Sequence, residues 1–325
     1  MAQANTSAAR LAALHAPGNP LVLPNVWDTT SLETITSINK EPSSSSSSSA
    51  DSPGEGPLKA IATASYAIAK SLGIQDAELT FAQNLARIQE LAPLVHNAGL
   101  PLSVDIQDGY GSKIEECVAA VVKAGAVGAN IEDVVLASDD VEGGAGAGGV
   151  GVGGHKGGEF YGVEEQASRI RSAIRAAEQA GCPGFVVNAR HDGFFLQGAT
   201  GKSDEEVMAE AVTRGKAYLD AGATTVFFWG GSGRGLRTHE VQTLVKELGG
   251  RVAVMLGAKG RLSVKELADI GVARISVGPS LSFLSPGDVK GVAMRILGGG
   301  ALVEICCECK RHNAELGMAS ASAVL

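Results

Sequence analysis

The chain has 325 residues, 45% hydrophobic but only 4% aromatic, and its 27 Lys and Arg against 35 Asp and Glu give a net charge of −8. With no long basic run to offset it, that balance excludes a protein that holds nucleic acid by charge. No stretch approaches the roughly 20 consecutive apolar residues of a membrane span, residues 1–16 lack a secretory pattern, and five cysteines without an even framework suit a reducing compartment, so a cytoplasmic protein is expected.

A core made mainly of Ala, Val, Ile and Leu suits a parallel sheet buried on both faces. In chain order, short aliphatic runs at 21–24, 60–64, 102–105, 128–131, 185–188, 225–228, 252–255 and 274–277 predict eight strands. Amphipathic stretches of helical length alternate with them, at 80–96, 114–124, 163–180, 204–221, 239–248 and 263–270. Four helices end on Ala-Gly steps, Ala98-Gly99, Ala124-Gly125, Ala180-Gly181 and Ala221-Gly222, where glycine takes the left-handed cap that turns the chain toward the next strand. Eight regular βα units predict a closed (β/α)8 TIM barrel, one domain over 1–325.

Three segments interrupt the rhythm. Residues 39–57 hold seven consecutive serines between Pro42 and Pro53 and read as a disordered surface insertion. Residues 139–158 are dominated by glycine and read as a mobile lid after the fourth strand. Gly146, Gly148 and Gly151 formally match a dinucleotide fingerprint there, but the match neither follows a strand directly nor opens a helix. Residues 301–325 read as a C-terminal helical tail, and the spacing of Cys306, Cys307, Cys309 and His312 in it matches no zinc pattern.

In a barrel of this type the chemistry lies at the C-terminal ends of the strands. There the sequence places Ser65 and Asp76 after the second strand, Asp105, Gln107 and Asp108 at the third, Glu132 and Asp133 at the fourth, and Asn188, Arg190, His191 and Asp192 at the fifth. Carboxylates converging from neighbouring strands repel one another unless a cation sits between them, and a hard divalent ion such as Mg²⁺ fits oxygen ligands. Arg190 supplies a forked donor for a substrate carboxylate or phosphonate. Any one of these acids could simply cap a helix; Asp76, Asp105 and Glu132 together point to a site. His191 and Asp192 either face the mouth or cap the next turn, Trp229 reads as packing, and Lys259 as a solvated loop residue.

Six motifs then fall in order: Leu23-Pro24-Asn25-Val26-Trp27-Asp28, Ser71-Leu72-Gly73-Ile74-Gln75-Asp76, Asp105-x-Gln107-x-Gly109-Tyr110-Gly111, Gly128-Ala129-Asn130-Ile131-Glu132-Asp133, Asn188-Ala189-Arg190 and Ser276-Val277-Gly278-Pro279. On these the chain resembles the phosphoenolpyruvate mutase/isocitrate lyase superfamily over about 21–298, in its carboxyphosphonoenolpyruvate phosphonomutase-like branch. The resemblance implies that Asp105 and Glu132 hold Mg²⁺, directly or through water. Gln107 stands at a third metal position that normally carries an acid. The resemblance further implies Asp76 and Arg190 as catalytic residues, with Ser65, Asn188 and Arg190 binding substrate. It implies a lyase or phosphonomutase-like enzyme that cleaves or forms a C–C or P–C bond in a small 2-oxo or 2-hydroxy acid through a metal-stabilised enolate. A homodimer or homotetramer that exchanges its eighth helix, 286–297, is also implied. Two departures qualify this: Gln107 removes one negative charge, and Gly153 stands where family lyases carry the lid cysteine, with His155 and Lys156 the nearest polar lid residues. They leave open an alternative, a catalytically lapsed barrel that binds a metabolite or partner.

Overall fold

The computed structural model describes residues 2–40, 56–136, 155–257 and 261–302. Most of the serine insertion, the body of the glycine-rich segment (137–154), Lys259 and the tail from 303 onward lie outside the described residues, as do the side chains of His155 and Lys156.

Eight parallel strands close into a barrel. The first, β1, is split at Pro24 into Leu21–Leu23 and Asn25–Val26. Proline has no N–H to give a ladder, and here it divides one strand between two partners. The rest are β2 (Ile61–Thr63), β3 (Leu102–Asp105), β4 (Gly128–Glu132), β5 (Val186–His191), β6 (Thr225–Phe228), β7 (Val252–Met255) and β8 (Arg274–Ser276). Each pairs in parallel with the next, Asn25–Val26 with β2 and Leu21–Leu23 with β8, so the ring is complete. Register then sets the site: Asp105 lies opposite Asn130, and Glu132 lies opposite Arg190.

The strands β3, β6 and β7 match their predicted limits, as does the helix Ile114–Ala124. That helix ends on Gly125 at φ 113°, in the left-handed cap expected of an Ala-Gly step. The N-terminal helix Ala2–Ala13 was not anticipated; it closes the barrel floor by burying Ala8 and Leu11. At Gly128 a Cβ would lie 2.8 Å from the Val186 carbonyl oxygen and 3.0 Å from a Leu11 methyl, so a side chain there would unseat the plug.

Two segments add detail to the expected pattern. The glycine-rich lid was expected to span 139–158, but His155–Phe160 is a strand, paired antiparallel with Val134–Leu136. Glycine and polar residues hid its strand character from a hydrophobic pattern. The eighth helix, Pro286–Leu297, is the one whose exchange between subunits belongs to the proposed assembly. In this chain it packs on its own barrel beside Thr29–Thr36, burying Val289, Val292, Ala293 and Ile296 against a face that buries Leu32 and Ile35. A short turn, Gly278–Phe283, returns the chain after β8 and lets that apolar face dock locally. Among the described residues no helix is long and apolar enough to cross a membrane.

Candidate active site

The barrel mouth collects the acids that the sequence places at strand ends. Asp105, the last residue of β3, is buried, and its backbone is fixed from two sides: its N–H donates to Thr63 Oγ1 at 2.9 Å and its carbonyl accepts from Asn84 Nδ2 at 2.9 Å. Its carboxylate accepts the backbone N–H of Ser65 at 3.1 Å on Oδ2 and that of Gln107 at 3.2 Å on Oδ1. Ser65 therefore stands beside Asp105, where the sequence put it.

Gln107 adopts φ 53°, a left-handed conformation that costs a non-glycine residue about 1–2 kcal/mol. Three hydrogen bonds hold it there: its carbonyl accepts from the Glu132 N–H at 2.8 Å, and its Nε2 donates to the Asp76 carbonyl oxygen at 2.9 Å and to Asp76 Oδ1 at 3.3 Å. Gln107 thus joins β3, β4 and the short turn Asp76–Glu78. Asp108 points away from the mouth, because the chain turns after β3. Its carboxylate accepts from the N–H of Tyr110 at 2.9 Å and the hydroxyl of Tyr161 at 2.7 Å.

Across the mouth, Arg190 NH1 donates to Glu132 Oε1 at 2.6 Å and its Nε to Asp192 Oδ1 at 2.8 Å, with both acids and the guanidinium largely buried. The guanidinium also lies 5.2 Å from the Trp229 ring and 5.7 Å from the Phe227 ring. Trp229 in turn stacks on Phe195 at 4.6 Å. Asp192 therefore faces the mouth, whereas His191 turns outward and binds Asp133 Oδ2 through Nδ1 at 2.7 Å, in a buried cluster with Tyr218 and Arg214.

The electrostatics follow from four carboxylates, Asp76, Asp105, Glu132 and Asp192, sharing one mouth with Arg190. Asp76 is pushed up to about 6, first by burial and then by the charge of Asp105, against the hydrogen bonds of Ser65 and Gln107 and the charge of Arg190. Burial raises Glu132 well above the usual carboxylate range; Arg190 opposes this, while Asp192, Asp105 and Asp76 add to it. For Arg190, burial works against the charge, but Asp192, Glu132 and Asp105 outweigh it and hold the proton more firmly than usual. Negative charge is in excess, which is the condition a bound cation relieves.

Among the described residues no three His, Cys, Asp or Glu side chains meet as a ready-made metal cage. Mg²⁺ does not need one: it commonly keeps several waters and takes one or two carboxylates together with substrate oxygens. Asp105, with Glu132, Gln107 and Asp76 around it, fits that kind of donor set. Asn188 is placed differently from expectation. Its Nδ2 donates to Asn130 Oδ1 at 2.7 Å, its Oδ1 accepts from the Thr225 hydroxyl at 2.6 Å, and it is wholly buried below the mouth. Both ends of the amide are used inside the barrel, because Asn188 lies two residues, one inward-facing step, below Arg190 on β5.

Arg274, at the start of β8, escaped the sequence reading. It is fully buried, donates from NH2 to Asn130 Oδ1 at 3.0 Å and to Ser103 Oγ at 3.3 Å, and leaves its Nε without a partner. A lone cation within an aliphatic run was the available signal.

Comparison with known proteins agrees with this geometry. The model of the phosphoenolpyruvate phosphomutase family matches residues 11–297. The 2-methylisocitrate lyase of Escherichia coli is 29% identical over 163 residues, which is 49% of this chain and 46% of that enzyme; the chain thus aligns with about half the length of the first curated relatives it matches. An uncharacterised protein of Mycobacterium tuberculosis is 27% identical over 270 residues, 82% of this chain and 80% of its own. A candidate phosphonomutase of known structure from Burkholderia cenocepacia J2315 superposes with a TM-score of 0.66 at 28% identity, covering 91% of this chain and all of that one. A phosphonopyruvate hydrolase solved with oxalate and Mg²⁺ shares the fold, with a TM-score of 0.61 at 20% identity over 97% of both chains. With barrel, strand-end acids and family model in agreement over most of its length, the chain belongs to the phosphoenolpyruvate phosphomutase family.

Proposed function

We propose that the protein is a Mg²⁺-dependent enzyme that cleaves or forms a C–C or P–C bond in a small 2-oxo or 2-hydroxy acid. The observation that carries this reading is the electrostatic coupling of Asp76, Asp105 and Glu132 around Arg190 at the mouth of a barrel of this family. Asp105 and Glu132 would hold the ion, directly or through water, with the Gln107 amide beside them. Mg²⁺ would supply the Lewis acidity that stabilises enolate-like charge as the bond breaks. Arg190 would bind the substrate carboxylate or phosphonate through its fork, and Ser65 would support its other end. Asp76, already inclined to hold a proton, stands where a proton must be exchanged. Asn188 orients Asn130 beneath this group rather than touching substrate.

The relatives support the substrate class: one is a 2-methylisocitrate lyase, and one of the same fold was crystallised with oxalate and Mg²⁺. The assembly proposed is a homodimer or homotetramer in the cytoplasm. A second reading, a barrel that binds without turnover, draws on Gln107, whose Nε2 is committed to Asp76. A panel of 2-oxo and 2-hydroxy acids, including methylisocitrate, oxaloacetate and phosphonopyruvate, assayed with Mg²⁺ and then with EDTA, separates the two. Turnover that EDTA abolishes supports the enzyme; binding of these acids with no product from any supports the binder.

A further inference from the structure

The groups expected to hold the cation and the anion hold each other. Glu132 gives Oε1 to Arg190 at 2.6 Å, and Gln107 spends its amide nitrogen on Asp76. Asp105 remains, with each carboxylate oxygen already accepting one backbone N–H. A cation arriving alone finds Glu132 neutralised by Arg190. An anion arriving alone finds Arg190 neutralised by Glu132 and Asp192. Each lone ligand must break a largely buried ion pair: an anion that takes Arg190 leaves Glu132 uncompensated in a low-dielectric site, and a cation that takes Glu132 leaves Arg190 with Asp192 alone.

We infer that the Glu132–Arg190 pair is an exchange latch, so that the divalent cation and the anionic substrate bind as an interdependent couple and neither binds well alone. This rests on the Mg²⁺-dependent reading above and adds a rule of binding to it. When both arrive, Glu132 passes from the guanidinium to the cation and Arg190 passes from Glu132 to the substrate, so no charge is left alone at any point. The site discriminates against free metal and against stray carboxylates by the same pair.

Isothermal titration with MgCl₂ and with sodium oxalate, each alone and each in the presence of the other, tests the inference. The wild-type protein is expected to bind each ligand at least about tenfold more tightly when the other is present. Arg190→Met frees Glu132 and is expected to bind Mg²⁺ alone about tenfold more tightly than wild type, with oxalate binding lost. Glu132→Gln, close to isosteric and the safer variant for folding, is expected to bind oxalate without metal about tenfold more tightly than wild type. Asp192→Asn removes the same charge but leaves the Glu132 bond in place, and its gain for oxalate alone should be clearly smaller. If wild type takes up the pair while neither Arg190→Met nor Glu132→Gln gains for its single ligand, or if Asp192→Asn gains as much as Glu132→Gln, the latch is overturned and the Mg²⁺-dependent reading stands. If wild type takes up neither ligand even together, that reading fails and the latch with it.

Discussion

The mouth of the barrel and its lower interior, two layers of the same eight strands, carry opposite electrical problems. At the mouth burial, and after it the repulsion among four carboxylates that share one arginine, drives Asp76 and Glu132 toward their protonated forms. Below, Arg274 sits fully buried with hydrogen bonds to Ser103 and Asn130 but no carboxylate ion pair among the described residues, and burial draws it down to about 9, against the pull of Asp105. It stays charged at neutral pH even so. Beside it, His15 is held down to about 3, first by burial and then by the charge of Arg274. The Asn130–Asn188–Thr225 chain separates the two layers with neutral amide and hydroxyl groups. A buried charge thus need not touch its counter-ion: Asp105 in the mouth favours the charged form of Arg274 below it across a polar layer.

Removing a charge from either layer tests that comparison. The largest effect belongs to Arg190→Met, which strands Glu132 and Asp192 and should cost about 3–5 kcal/mol of stability. Urea unfolding would measure it, and millimolar Mg²⁺ should restore part of the loss. Asp76→Asn follows. In the folded protein without ligand, Asp76 takes up its proton near pH 6, above the value of about 3.9 for an unfolded aspartate. The folded state therefore binds more protons between those values, and wild-type stability falls as pH rises through 6. Asp76 keeps some solvent contact, so the gain expected for Asp76→Asn is discounted to about 1–2 kcal/mol at pH 8, vanishing near pH 4. A flat difference between the two proteins across that range would contradict it.

His15 gives the opposite slope from the lower layer. Its folded value of about 3 lies below the unfolded value of about 6.5, so the unfolded chain takes up the proton first and stability is lost as pH falls from 6.5 toward 3. Arg274→Met removes one cause of that depression, and the loss of stability between pH 6.5 and 4 should become shallower than in wild type, by about 1 kcal/mol or less. An unchanged slope in pH-dependent unfolding would show that the two side chains do not couple. Smallest is Gln107→Asp, which adds a carboxylate at the mouth. Mg²⁺ should bind several-fold more tightly and the ligand-free protein should lose up to about 1 kcal/mol; unchanged affinity would remove Gln107 from the metal's surroundings.

The strands were legible because a barrel buried on both faces writes them as aliphatic runs, and β3, β6 and β7 end where those runs end. The pattern failed where polar residues continue a strand: β5 runs on past Asn188 through Arg190 and His191, and the strand His155–Phe160 carries a glycine pair and little apolar character. At the site, Asp105, Glu132, Asp76, Ser65, Gln107 and Arg190 converge because strand ends in a barrel all face one mouth. What the residue order could not convey was pairing. Glu132 and Arg190 were assigned to different ligands, and only the register of β4 against β5 brings them together. The depth of Asn188, like the place of Arg274, depends on how far each strand is staggered around the ring, which is a property of closure rather than of any one segment.

If the mouth takes a divalent cation and a small oxyanion as one unit, as proposed, the two ligands stabilise the fold cooperatively. A thermal melt of the wild-type chain with Mg²⁺ alone, oxalate alone and the two together tests it most directly. With the pair, Tm is expected to rise by clearly more than the sum of the two single-ligand rises. No rise with the pair, or a rise equal to that sum, would contradict it.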